Sequence, residues 1–347
     1  MRIVDIKART ILSSLGNETV EVEVTGENEE KATASIPAGI SAGKYEVVNV
    51  SANQAVQQIE NIKRELIGRE IDQQRLDDLL CGSGMGGNAT LAISAATWKA
   101  ELIKSKKKYN KFPKLLTLMF EGGKHGNENI TVQEFAVIEN SVWEAAKDFK
   151  KLKEYLMENH IENTVGAEGA FSPMGFDNWK AMDVIKKLFE NKTIALDVAG
   201  SFVEGDVDYE ELLKKYNIAS IEDPYSDEEW ERWADFYAKF GKKILVVGDD
   251  LTVSNPSRIK MALNPRVINA VIIKPNQNGT ISGTLEAVKL AMDNDLKLVV
   301  SHRAEETSDD WICDFALEIG ADFVKFGGLE RGERVAKYNR LRVLGMK

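Results

Sequence analysis

The chain has 347 residues, enough for one large or two ordinary domains, and 43% of them are hydrophobic, which suffices for a sizeable core. A formal net charge of −10 argues against a nucleic-acid partner, which needs a basic face, and two cysteines build no disulfide framework. No stretch reaches the roughly 18 uninterrupted apolar residues of a membrane span, and the charged start MRIVDIKARTIL does not read as a signal peptide, so a cytoplasmic protein with no membrane partner is expected.

Residues 1–37 read as strands: IVDIKARTIL alternates, TVEVEV alternates strictly, and NE and GENEE supply turns. After the glycine-containing loop IPAGISAGKYE the period becomes helical over 52–67, 72–80 and 88–104. KKKYNKFPKLLTLMF leads out of this α+β module, and the lysine run at 104–111 reads as a solvated helix end. The expected division is an N-terminal α+β domain over 1–120 and a second domain over 121–347.

From about residue 126, β-rich segments alternate with amphipathic helical ones. Eight are counted: ITVQEFAVI, NTVGAEGAF, TIALDVAG, IASIEDP, ILVVGDD, AVIIKPN, KLVVSHR and FVKFGG. Such alternation implies parallel strands joined by crossovers, and eight of them suggest a closed (β/α)8-type barrel of the α/β class. An open doubly wound sheet is the rival, but no G-x-G-x-x-G follows the first strand and no P-loop occurs.

Active sites of such barrels form at the C-terminal ends of the strands. Here those ends carry Glu168, Asp197, Glu222, Asp249, Lys274, His302 and Lys325, with Glu134 in mid-segment; all are titratable. Asp197, Glu222 and Asp249 follow one another at steps of 25 and 27 residues. Three carboxylates on neighbouring strands repel one another unless a cation lies between them, and hard oxygen donors select Mg²⁺, Mn²⁺ or Ca²⁺ over zinc. Lys274 and Lys325 lie on strands facing the trio. A buried lysine near a metal is expected to have its neutral form favoured and so to act as a base. Glu168 and Glu134, across the rim, suit the acid. Metal, base and acid across a gap fit proton abstraction next to a carboxylate, followed by loss of a leaving group.

Almost end to end, the chain resembles the enolase (phosphopyruvate hydratase) family. The similarity is carried by ARTILSSLGNETVEVEV, IPAGISAGKYE, GGNATLAISAA, GGKHGNENITVQEF, NTVGAEGAFSP, ALDVAGS, SIEDP, VVGDDLTVSNP, IIKPNQNGT, VVSHRAEET and FGGLERGERVAKYN, in that order. The resemblance implies Mg²⁺-dependent dehydration of 2-phosphoglycerate, with two ions of which one is tightly bound, and a homodimer or higher homo-oligomer. It implies that Lys274 is the general base, that Glu168 protonates the leaving hydroxyl and that Glu134 supports it. Asp197, Glu222 and Asp249 match the first ion's ligands, and Ser41, in the loop that closes on the substrate, completes the second site. His125, His302, Arg303 and Lys325 match positions that hold the phosphorylated acid.

The chain also departs from that pattern. Ala304 stands where the family usually has a phosphate-touching serine, and Glu305 follows where glycine is usual. Ala38 and Ala42 replace hydroxyl residues of the closing loop, Ala167 replaces an aspartate before Glu168, and Leu15 replaces an arginine. Loops are trimmed after Glu46 and after Ser201. A lost hydroxyl and an added carboxylate are both expected to weaken the grip on phosphate. The alternative is an enolase-like paralogue that dehydrates another small acid, or a non-catalytic binding protein.

Overall fold

The computed structural model describes residues 1–40, 43–70, 72–105, 107–202 and 207–346. The N-terminal alternation becomes a three-stranded antiparallel sheet of β1 (Ile3–Leu12), β2 (Glu18–Gly26) and β3 (Lys31–Ser35). Its buried face, including Ile6, Val20, Val22 and Val24, packs on α1 (Ala52–Leu66) and α3 (Gly87–Ser105). A capping box opens α1: Ser51 Oγ accepts from Gln54 N, and the Gln54 side chain accepts from Ser51 N. The buried positions of α1 (Ala55, Ile59, Ile62, Leu66) recur every three or four residues, as one face of a helix requires. Helix α3 is buried on most sides because it lies between this sheet on one side and α2 (Gln73–Gly82) and barrel helices on the other. All three helices begin and end within two residues of the expected spans.

The second part is a closed eight-stranded barrel. Its strands are β4 (Lys114–Glu121), β5 (Glu134–Glu139), β6 (Ile194–Asp197), β7 (Ile218–Glu222), β8 (Leu245–Gly248), β9 (Ala270–Ile273), β10 (Lys297–Ser301) and β11 (Phe323–Lys325), in the circular order β10-β11-β4-β5-β6-β7-β8-β9. Two expectations are corrected. The first barrel strand is KLLTLMFE, read from sequence as a connection, while NTVGAEGAF makes only isolated bridges, such as Val165 with Phe171. The barrel therefore begins at Lys114, and the expected division at residue 120 falls inside β4. Nor are all strands parallel. β5 pairs antiparallel with both β4 and β6, because it returns from β4 through a loop with no helical crossover to reverse the chain.

The barrel interior is filled by Leu118, Ala136, Ala195, Val247, Ile272 and Val299, among others. Side chains on a strand alternate between its two faces, so the residue two positions further on faces inward again, one layer higher. That step leads from Ala195 to Asp197, from Val247 to Asp249 and from Ile272 to Lys274. On β5 the step is reversed: Ala136 leads back to Glu134, which starts its strand yet pairs with Asp197 at the same rim. Polar contacts dock the capping module on the barrel. Asp77 of α2 accepts from Ser282 N, Ser94 Oγ accepts from Ile281 N, and Lys99 pairs with Asp309. Among the described residues no helix is long and apolar enough to cross a membrane.

Candidate active site

The rim surrounds a cleft lined by Glu134, Glu168, Asp197, Asp249, Lys274 and Lys325, with His125, His302, Arg303 and Ala304. Glu222 lies just below and is buried. Nearly every expected site residue is thus gathered in one place. Ser41 lies outside the described residues.

The three carboxylates stand at the ends of β6, β7 and β8, all buried. They do not face one another bare. Lys325 Nζ reaches Glu134 Oε2 at 2.8 Å, Asp197 Oδ2 at 3.0 Å and Glu222 Oε1 at 2.9 Å. Lys274 Nζ pairs with Asp249 Oδ2, and Gln277 Nε2 donates to Asp249 Oδ1 at 3.3 Å. Burial and the nearby Asp197 push the Glu222 carboxyl well above its usual range. Burial would lower Lys325, but Asp197, Glu134 and Glu222 hold it well above the ordinary lysine value.

Burial favours the neutral form of Lys274, while the adjacent Asp249 carboxylate holds it above the ordinary lysine value. A cation at Asp249 would take over that carboxylate and bring like charge to the lysine, both of which favour the free amine. Oxygen-only, buried donors on adjacent strands fit a hard divalent cation, so Asp197, Glu222 and Asp249 suit one. Among the described residues a tighter acidic group adjoins them: oxygens of Asp223, Asp249 and Asp250 lie within 4.8 Å of one another. In it Asp223 serves the backbone, its carboxylate accepting from Asp249 N and Asp250 N at 2.9 and 2.7 Å, which joins the ends of β7 and β8.

Across the barrel, Glu168 lies between two imidazoles, with His125 Nδ1 at 3.5 Å and His302 Nε2 at 3.4 Å. Ligating atoms of Glu134, Glu168 and His302 fall within 4.8 Å of one another. Burial pushes Glu134 well above the carboxylate range, with Glu168 adding to the shift, whereas the flanking imidazoles hold Glu168 low against its own burial. Burial lowers His302 to about 4, against the pull of the adjacent Glu168. His125 Nδ1 and His302 Nε2 are buried against Glu168 at separations too long for well-formed hydrogen bonds. β5 and β9 stand four strands apart in the ring of eight, so Glu134 and Lys274 face each other across it.

At the anion end, Arg303 is already engaged. Its Nη1 and Nη2 donate to Glu46 Oε2 and Oε1, both at 3.1 Å, and Nη1 also donates to Asn276 Oδ1 at 3.1 Å. Glu46 was not anticipated from sequence. Glu305, expected to oppose phosphate, turns away: its Oε1 accepts from Ser13 Oγ at 2.5 Å, while its backbone pairs with Ala38. The opposing carboxylate is therefore Glu46. Arg334, also unanticipated, is fully buried and donates to the carbonyls of Arg303, Ala304 and Ala167.

A capped barrel with facing lysines and carboxylates on one rim is the architecture of an enzyme, and comparison with known proteins specifies which kind. Residues 3–111 match the family model "Enolase, N-terminal domain", and residues 206–345 match "Enolase, C-terminal TIM barrel domain". Curated relatives named enolase include those of Corynebacterium kroppenstedtii and Bdellovibrio bacteriovorus, each 33% identical over 98% of this chain and 94% of the relative. The enolase of Helicobacter pylori is 33% identical over 98% of the chain and 95% of its own length. The chain belongs to the enolase family and is an enzyme of the hydro-lyase type. The first alignment spans 401 positions against 347 residues, so that relative carries internal segments absent here.

Proposed function

We propose that the chain is a phosphopyruvate hydratase, which dehydrates 2-phosphoglycerate to phosphoenolpyruvate reversibly, as in glycolysis and gluconeogenesis, with Mg²⁺ held by Asp197, Glu222 and Asp249. The observation that carries this reading is that Lys274 and the close pair Glu134 and Glu168 stand on opposite sides of one cleft. Lys274 Nζ removes the C2 proton. Glu168, supplied by Glu134, protonates the C3 hydroxyl, which leaves as water. Bound Mg²⁺ supplies positive charge against the charge that develops on the substrate carboxylate. His125, His302, Arg303 and Lys325 hold the substrate's polar groups, and Ser41 completes a second ion's site. The capping domain ends and the barrel begins near residue 114, and a cytoplasmic homodimer or higher homo-oligomer is the expected form.

A second reading has one specific observation behind it. Arg303 is neutralised by Glu46 beside an alanine, Ala304, with no hydroxyl to offer. A site so arranged suits a small acid that carries no phosphate. Absorbance of phosphoenolpyruvate, followed with 2-phosphoglycerate and Mg²⁺, separates the two. Turnover supports the first reading; none, together with turnover of a non-phosphorylated hydroxy acid, replaces it with the second.

A further inference from the structure

The residue that holds Glu168 in place is not part of its own loop. Glu121, the last residue of β4, is fully buried and aims its carboxylate at the turn over 166–170. Its Oε2 accepts from Glu168 N and its Oε1 from Ala170 N, both at 2.9 Å. These two N–H groups bracket Gly169, whose φ of +83° lies in the left-handed region, and both belong to irregular backbone without a ladder to satisfy them. The approach is close enough that a Cβ on Gly166 would lie 2.3 Å from Glu121 Cδ. Other groups of the turn are tied elsewhere: Ala167 N donates to His125 O and Gly328 N donates to Glu168 O.

We propose that Glu121 is a positioning residue of the acid half-site. Its two oxygens clamp the backbone on either side of Gly169 and so aim Glu168 between His125 and His302. The clamp acts on protonation of the leaving hydroxyl and not on C2 proton abstraction, because Lys274 stands across the barrel on β9. For its catalytic consequence it rests on the function proposed above.

The test is Glu121→Gln in the full chain with Mg²⁺ and 2-phosphoglycerate. Glutamine keeps the shape but turns an N–H₂ toward one of the two N–H donors, so one clamp bond is lost. Displacement of a catalytic group by about 1 Å costs on the order of 100-fold in rate, so dehydration kcat should fall by about that factor. KM and C2-proton exchange with deuterated water should stay within about threefold of the parent. Exchange and dehydration falling together would overturn the proposal, as would an unchanged kcat. Glu121→Asp, which keeps the charge and shortens the reach, is read by the same ratio if the glutamine variant does not fold. Backbone amide exchange of the peptide over 166–172, measured by mass spectrometry, reads the clamp without any turnover. Faster exchange confined to that peptide supports the clamp, and unchanged exchange overturns it. A parent protein that neither exchanges nor dehydrates 2-phosphoglycerate instead overturns the proposed function, and the amide measurement then decides the clamp alone.

Discussion

The anion subsite allows the most direct test of how this chain differs from its relatives. Arg303 gives two parallel hydrogen bonds at 3.1 Å to Glu46, and both side chains are about 95% buried. Opposite unit charges 3–4 Å apart attract by about 4–5 kcal/mol at an effective dielectric of 20, and an incoming phosphate must either displace that partner or lie beside its negative charge. Charge-assisted hydrogen bonds are worth about 1.5–3 kcal/mol net. Glu46→Gln should therefore tighten inorganic phosphate by about 10- to 100-fold, at 1.4 kcal/mol per factor of ten. Ala304→Ser adds one neutral donor, worth about 1 kcal/mol or roughly fivefold. Glu305→Gly should change nothing beyond about twofold, because that carboxylate is bound to Ser13 outside the cleft. Titration calorimetry with inorganic phosphate at fixed ionic strength measures all three without turnover. If Glu46→Gln left affinity unchanged while Glu305→Gly tightened it, the assignment of Glu46 as the competing carboxylate would be wrong.

Other outcomes follow from the same geometry. Asp249→Asn should abolish high-affinity Mg²⁺ binding by calorimetry; unchanged binding removes Asp249 from the metal site. Lys274→Ala should stop C2-proton exchange, whereas Glu168→Gln should block dehydration with exchange still measurable; parental exchange in Lys274→Ala would reject the base. Asp77→Ala leaves the buried Ser282 N–H without its acceptor, so urea unfolding should show a loss of about 1–3 kcal/mol.

Much of this protein is determined by local pattern. The two-residue period that fills the barrel lumen also sets Asp197, Asp249 and Lys274 inward at the rim, so an apolar run ending in a charge was enough to find them. The helices of the capping module followed from spacing alone, as in α1. The same signal is present at LLTLMFE, where Glu121 ends an apolar run, but nothing local distinguishes that run from a connection. Tertiary structure decided what pattern does not encode. The direction of β5 depends on which strands it pairs with, and only its reversal brings Glu134 to the rim by its first residue. The charge of Lys274 depends on Asp249, the freedom of Arg303 on Glu46, and the aim of Glu305 on Ser13. Each partner lies 25 to 292 residues away in sequence. A residue type and its period dictate which face a side chain takes. What that side chain meets there is set by Coulomb and hydrogen-bond energies that act over a few ångströms of space, and no stretch of neighbouring sequence carries that distance.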